Sequence, residues 1–126
     1  MRGDEARVVD AFCRYLRVHG WTVEREQAFC DVVAKRDGQT LYAEAKGRTS
    51  SPGLDVDTLY GQLLRRIPDT ADGTEILGVV VPTLAVSAAL RVGVRVRELL
   101  GIHVFEVTDD DVVRHHADFA QNPLTS

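Results

Sequence analysis

Three residues of this chain, Asp31, Glu44 and Lys46, have the types and the spacing for a chemical task. Glu44 and Lys46 sit two apart in the run Leu41-Tyr42-Ala43-Glu44-Ala45-Lys46. Strand side chains alternate, so both leave the same face. Asp31 opens a second run, Asp31-Val32-Val33-Ala34-Lys35-Arg36, and an Asp37-Gly38 pair lies between the two. Asp-Gly between stretches rich in Val, Leu and Tyr is a strong hairpin signal, and a hairpin returns Asp31 to the side of Glu44. Two carboxylates suit a hard, oxygen-loving cation such as Mg²⁺, with Mn²⁺ as a substitute. An ammonium beside them can hold a water or offset charge on a phosphate. Hydrolysis of a phosphodiester uses these parts.

The elements that must position this set can be read from the flanking sequence. Asp4 is a helix cap for a helix over 5–20, in which Val8, Val9, Phe12, Cys13, Leu16 and His19 recur at helical spacing and Gly20 is the stop. Residues 21–26 alternate as a strand, and the hairpin strands follow at 29–36 and 40–47. Residues 47–53 are loop by composition. A helix over 56–67 comes next, with Asp55 as its cap and Pro68 as its stop. Residues 75–82 form an unbroken apolar run, as in a strand covered on both faces. A helix over 86–100 carries Gly93 in its middle, a weakness of ~1 kcal/mol relative to Ala. A strand over 102–107 follows. The Asp109-Asp110-Asp111 turn leads to a short edge element and a polar tail, expected to loosen after about 115. The order α-β-β-β-α-β-α-β implies an α/β fold with a mixed sheet flanked by helices, in one domain over 1–126.

An Asp, a gap of about a dozen residues and then Glu-x-Lys on a strand resembles the signature of the PD-(D/E)XK nuclease superfamily, which includes restriction endonucleases and archaeal Holliday junction resolvases. Cys30 stands where the name has Pro. The superfamily core is α-β-β-β-α-β, which this chain repeats in order with one helix and one strand added. The resemblance implies a restriction-endonuclease-like fold and Mg²⁺-dependent cleavage of DNA, with RNA an open alternative. It implies Asp31, Glu44 and the Ala45 backbone carbonyl as metal ligands, and Lys46 as the group that holds the attacking water and touches the scissile phosphate. Glu5, on the first helix, corresponds to an accessory acid that binds metal through water or holds a second ion. Gln62 corresponds to a glutamine that orients the lysine or the water in several branches.

Arg48, Arg65 and Arg66 are the expected phosphate contacts, since a guanidinium meets phosphate bidentately. Gln62 and Arg66 are i and i+4 and share a helix face. The chain has 13 Arg but 2 Lys, and one of these lysines is Lys46. Net charge is −4, unlike many nucleic-acid binders. The sign is uneven: residues 1–68 hold 11 Lys/Arg against 10 Asp/Glu, whereas residues 69–126 hold 4 against 9. DNA is therefore expected on the face of Lys46, Arg48, Arg65 and Arg66, away from the acidic second half. With no visible DNA-reading module, specificity would require a second copy of the chain, a partner protein or a structural feature of the substrate.

Other classes fit less well. Two cysteines, Cys13 and Cys30, do not make a disulfide framework and read as buried thiols. The start lacks the apolar core of a signal peptide, and no run approaches the ~20 apolar residues of a membrane helix. A cytoplasmic protein with no membrane partner is expected. Neighbouring His115 and His116 do not converge easily on one metal. A catalytically inactive nuclease-fold module that binds nucleic acid or a protein is the alternative reading. A signalling domain with Asp31 as phosphoacceptor is a weaker one, poorly served by the antiparallel hairpin.

Overall fold

In the computed structural model the described residues are 2–25, 31–47, 51–69 and 71–125. Helix α1 (Arg2–Val18) leads into three strands, β1 (Thr22–Arg25), β2 (Val32–Arg36) and β3 (Gln39–Ala45). Helix α2 (Pro52–Arg66), strand β4 (Ile76–Pro82), a 3₁₀ turn (Thr83–Ala85), short helices α3 (Val86–Ala89) and α4 (Val94–Leu100), and strands β5 (Ile102–Val107) and β6 (Val113–His115) follow. Among the described residues the six strands form one sheet in sequence order. The pairs β3·β4 and β4·β5 are parallel, and the other three are antiparallel.

The hairpin forms as its turn residues require. Asp37 and Gly38 both have positive φ, 50° and 80°, as a two-residue type I′ turn demands. Such a turn matches the twist of the flanking strands and leaves no freedom of register.

Layering follows from the two parallel connections. Parallel crossovers are right-handed, so β3–β4 and β4–β5, stepping the same way across the sheet, leave their helices on one face. Val56, Leu59, Tyr60 and Leu63 of α2 and Ala88 and Ala89 of α3 accordingly pack on Leu77, Val79, Val81, Ile102 and Val104. Helix α1 covers the opposite face, where Val8, Ala11, Phe12, Cys13 and Leu16 meet Val32, Ala34, Leu41, Ala43, Val80 and Phe105. Every residue of β4 is buried, in keeping with its unbroken apolar sequence. The α/β fold expected from the sequence is the one observed, and it is consistent with a restriction-endonuclease-like core.

Several local expectations change. Helix α1 begins at Arg2, so Asp4 lies inside its first turn, where the helix dipole favours an acid. Helix α2 begins at Pro52, with Ser51 as the capping position and Asp55 in the first turn; Pro suits that first position because its fixed φ is already helical. The helix over 86–100 is two pieces. Gly93 is extended and starts α4, and the break frees the Val92 carbonyl. Buried Arg97 fills the gap: its Nε donates to Val92 O at 2.7 Å, and its guanidinium grips Asp118. The tail after 115 is held at two points, Asp118 by Arg97 of α4 and Leu124 in the α1-side core. Leu124 is fully buried, and its carbonyl accepts from Trp21 Nε1 and Arg36. Cys13 is buried as expected, and Cys30 lies outside the described residues.

Candidate active site

The hairpin register pairs Val32 with Ala43, so one step further Asp31 stands opposite Glu44. Side chains complete the ladder at this point. The Asp31 N–H donates to Glu44 Oε2 at 2.8 Å, and the Ala45 N–H donates to Asp31 Oδ2 at 2.9 Å. Alternation sets the faces: Leu41, Ala43 and Ala45 enter the core beneath α1, whereas Tyr42 packs with the α2 core. Glu44 therefore leaves the sheet on the α2 face, and Asp31 joins it; Lys46, one residue past the end of β3, sends its ammonium to the start of α1. In a strand one residue's N–H and C=O point to the same edge, so the Ala45 carbonyl turns toward Asp31.

Glu44 has no exposed surface. Its second oxygen, Oε1, accepts from Arg66 at 2.5 Å, a charge-assisted contact from the last turn of α2. Burial pushes the Glu44 carboxyl above its ordinary value, and the charges of Asp31 and Glu5 push the same way. The Asp31 N–H bond and the Arg66 charge oppose them. Burial and a neighbouring carboxylate make ionised Glu44 costly without positive charge close by, and in this structure Arg66 supplies that charge.

Lys46 extends β3 beyond its last strand residue, with its N–H on Val80 O at 3.0 Å. Its half-buried ammonium lies 3.9 Å from Glu5 Oε1, a charge contact between the end of β3 and the first turn of α1. Gly47 makes this approach possible. A Cβ there would stand 2.4 Å from Glu5 N, 2.7 Å from Glu5 Cα and 2.9 Å from Asp4 C. The start of α1 rests directly on the backbone after Lys46.

Asp31, Glu44, Lys46, the Ala45 backbone and Glu5 thus come to one end of the sheet. Glu5 faces Lys46 and does not complete a trio of carboxylates; among the described residues no three His, Cys, Asp or Glu side chains are grouped to hold a metal. An ion here would rest on Asp31, Glu44, the Ala45 carbonyl and water. This all-oxygen donor set fits a hard divalent cation, which ordinarily keeps several waters. Arg66, expected as a phosphate contact, is bound to Glu44, although it also lines a groove of about 550 Å³ with Gln62, Arg65, Ile67, Pro68 and Asp69. Arg48 lies outside the described residues. His115 and His116 diverge, one to His103 and the other to Glu106.

Sequence reasoning missed the Arg66–Glu44 contact and the role of Gly47. No sequence signal marks the first, which is a tertiary contact. The second had one: a glycine at a strand end often marks another backbone in close approach.

No family model matches the chain, and no curated protein does. Solved structures do. An XisH family protein from Nostoc punctiforme superposes with a TM-score of 0.60 at 15% identity, over 86% of this chain and 96% of that one. A fdxN element excision controlling factor from Anabaena variabilis superposes with a TM-score of 0.61 at 16% identity, over the same shares. At such identity the likeness is one of fold.

Proposed function

We propose that the chain is a PD-(D/E)XK-type, metal-dependent nuclease that hydrolyses phosphodiester bonds, with DNA as substrate. The observation that carries this reading is the pair of hydrogen bonds, Asp31 N–H to Glu44 and Ala45 N–H to Asp31, that holds the two carboxylates as cross-strand neighbours, with Glu44 two residues before Lys46. Asp31, Glu44 and the Ala45 carbonyl would hold a Mg²⁺ ion. When bound, that ion would lower the pKa of a water and offset charge developing on the phosphorus. The Lys46 ammonium orients the attacking water and contacts a non-bridging phosphate oxygen. Glu5 would steady the Lys46 ammonium, from which it stands 3.9 Å. Burial of Glu44 keeps bulk water from competing for its charge. Arg65 and Arg66 carry flanking phosphates along the groove at the end of α2. One structure of the same fold bears the name of an excision controlling factor, and excision needs phosphodiester chemistry or its control.

A second reading has one observation of its own. Arg66 already neutralises Glu44, as it would in a non-catalytic module that binds nucleic acid or a protein. The deciding experiment incubates the protein with plasmid, linear, branched and single-stranded DNA in Mg²⁺, Mn²⁺ or EDTA. Asp31→Ala and Glu44→Ala should abolish both Mn²⁺ binding by calorimetry and cleavage. Lys46→Ala should keep the ion and lose ~10²-fold in rate, the scale of one positioned group. Wild-type turnover by Lys46→Ala, or undiminished Mn²⁺ binding in both acid variants, would refute the assignment.

A further inference from the structure

The oxygen set at Glu44 is asymmetric. Oε2 is held by a main-chain donor, the Asp31 N–H, one residue before β2. Oε1 is held by the Arg66 guanidinium, on a flexible side chain that keeps about a third of its surface exposed. Arg66 also borders the groove of Gln62, Arg65, Ile67, Pro68 and Asp69. A guanidinium has five donors in a rigid fork, and the contact to Oε1 is made through one terminal nitrogen. It therefore has donors left for a phosphate entering the groove beside it.

We infer that Arg66 is an exchange residue. It holds Glu44 as counter-ion in the resting protein and passes to a backbone phosphate of the nucleic acid, so that Glu44 Oε1 is released to the metal as substrate arrives. The inference rests on the metal-site reading above and adds an order of events to it. A guanidinium in contact with Oε1 and a dication on the same oxygen repel each other, so the two occupants compete. A phosphate that draws Arg66 away strengthens metal binding, and by linkage the metal strengthens phosphate binding to the same degree. A purely structural ion pair predicts the opposite: loss of Arg66 would loosen the site and weaken any ion held there.

The test is calorimetry of Mn²⁺ binding, without nucleic acid, at pH 8 and low salt. It uses the wild type, Arg66→Gln, Arg66→Lys, Arg65→Gln and Glu44→Gln. Arg66→Gln should bind Mn²⁺ ~10-fold more tightly than wild type, the scale of one charged hydrogen bond. Arg66→Lys, which keeps the charge without the fork, should fall between the two. Arg65→Gln, which removes an equal charge from the same groove but not from Glu44, should stay near wild type. Glu44→Gln should lose binding, which locates the ion. Equal or weaker binding by Arg66→Gln overturns the exchange while leaving the metal site standing. An equal gain in Arg65→Gln also overturns it, since the effect would then be the general field of the groove. Absence of Mn²⁺ binding in both wild type and Arg66→Gln removes the metal-site reading and this inference together.

Discussion

Replacing Gly47 with Ala isolates one contact on which the candidate site depends. Gly47 is not among the positive-φ glycines, so its backbone accepts an L side chain and strain of conformation plays no part. What remains is space. The new Cβ would meet Glu5 N at 2.4 Å, Glu5 Cα at 2.7 Å and Asp4 C at 2.9 Å. These are main-chain atoms, so no rotamer change relieves them. Ordinary contact is about 3.5 Å, so the first turn of α1 must retreat by about 1 Å. Val8, Phe12 and Leu16 are fully buried further along α1 and hold the rest of the helix in place, so the helix should pivot while the fold survives. Overpacking of this kind costs about 1–3 kcal/mol. For a chain of this length that lowers Tm by about 3–15 °C. The same pivot parts Glu5 from Lys46, and a displacement of ~1 Å near the chemistry can lower cleavage ~10²-fold. The assays are thermal denaturation and Mg²⁺-dependent cleavage. Gly61→Ala is the control: it lies in α2 with nothing within 4 Å of its would-be Cβ. It should stabilise by about 0.5–1 kcal/mol through helix propensity. If Gly47→Ala is as stable as wild type, or gains as Gly61→Ala does, the close seat of α1 on Gly47 is wrong.

Burial raises the Glu44 carboxyl, so the folded protein binds that proton more tightly than the unfolded one; the stability this gives is present at acid pH and is lost as pH rises through the folded pKa. Glu44→Gln in EDTA should therefore melt at or a few degrees above wild type at pH 8, with the gap closing toward pH 4, and a lower Tm at pH 8 would contradict the assigned environment. His103 behaves in the opposite sense: burial, with His115 adding to it, pushes its pKa down from 6.5 to about 4, so its share of stability is lost as pH falls through that window. Urea midpoints should show a loss of about 2 kcal/mol between pH 7 and pH 5, largely removed in His103→Phe, and an equal slope in both proteins would exclude His103 as the source. Replacing Arg65 and Arg66 together should flatten the dependence of log DNA affinity on log salt by up to ~2, at about 0.9 per phosphate contact. An unchanged slope would put the DNA on another surface.

What the sequence determined alone is local or periodic. Asp37-Gly38 selects a two-residue turn, the turn sets the register, and the register puts Asp31 opposite Glu44. Alternation then assigns Glu44 to the face opposite Ala43 and Ala45, and the apolar run of β4 announces a strand covered on both sides. Each step joins residues a few positions apart, so the pattern of types was enough. The rest depended on contacts between segments remote in the chain. Arg66 reads as a phosphate contact on a helix end until α2 is laid on β3 and its guanidinium finds a buried carboxylate. Gly47 reads as loop until α1 is packed against it. The break at Gly93 is decided by a buried Arg97 that caps the freed carbonyl and holds Asp118, and the polar tail is held down by the hydrogen bonds that Trp21 and Arg36 give to Leu124. Propensity carries no record of such partners, because the energy that fixes them appears only when water is squeezed from between two surfaces that the chain brings together last.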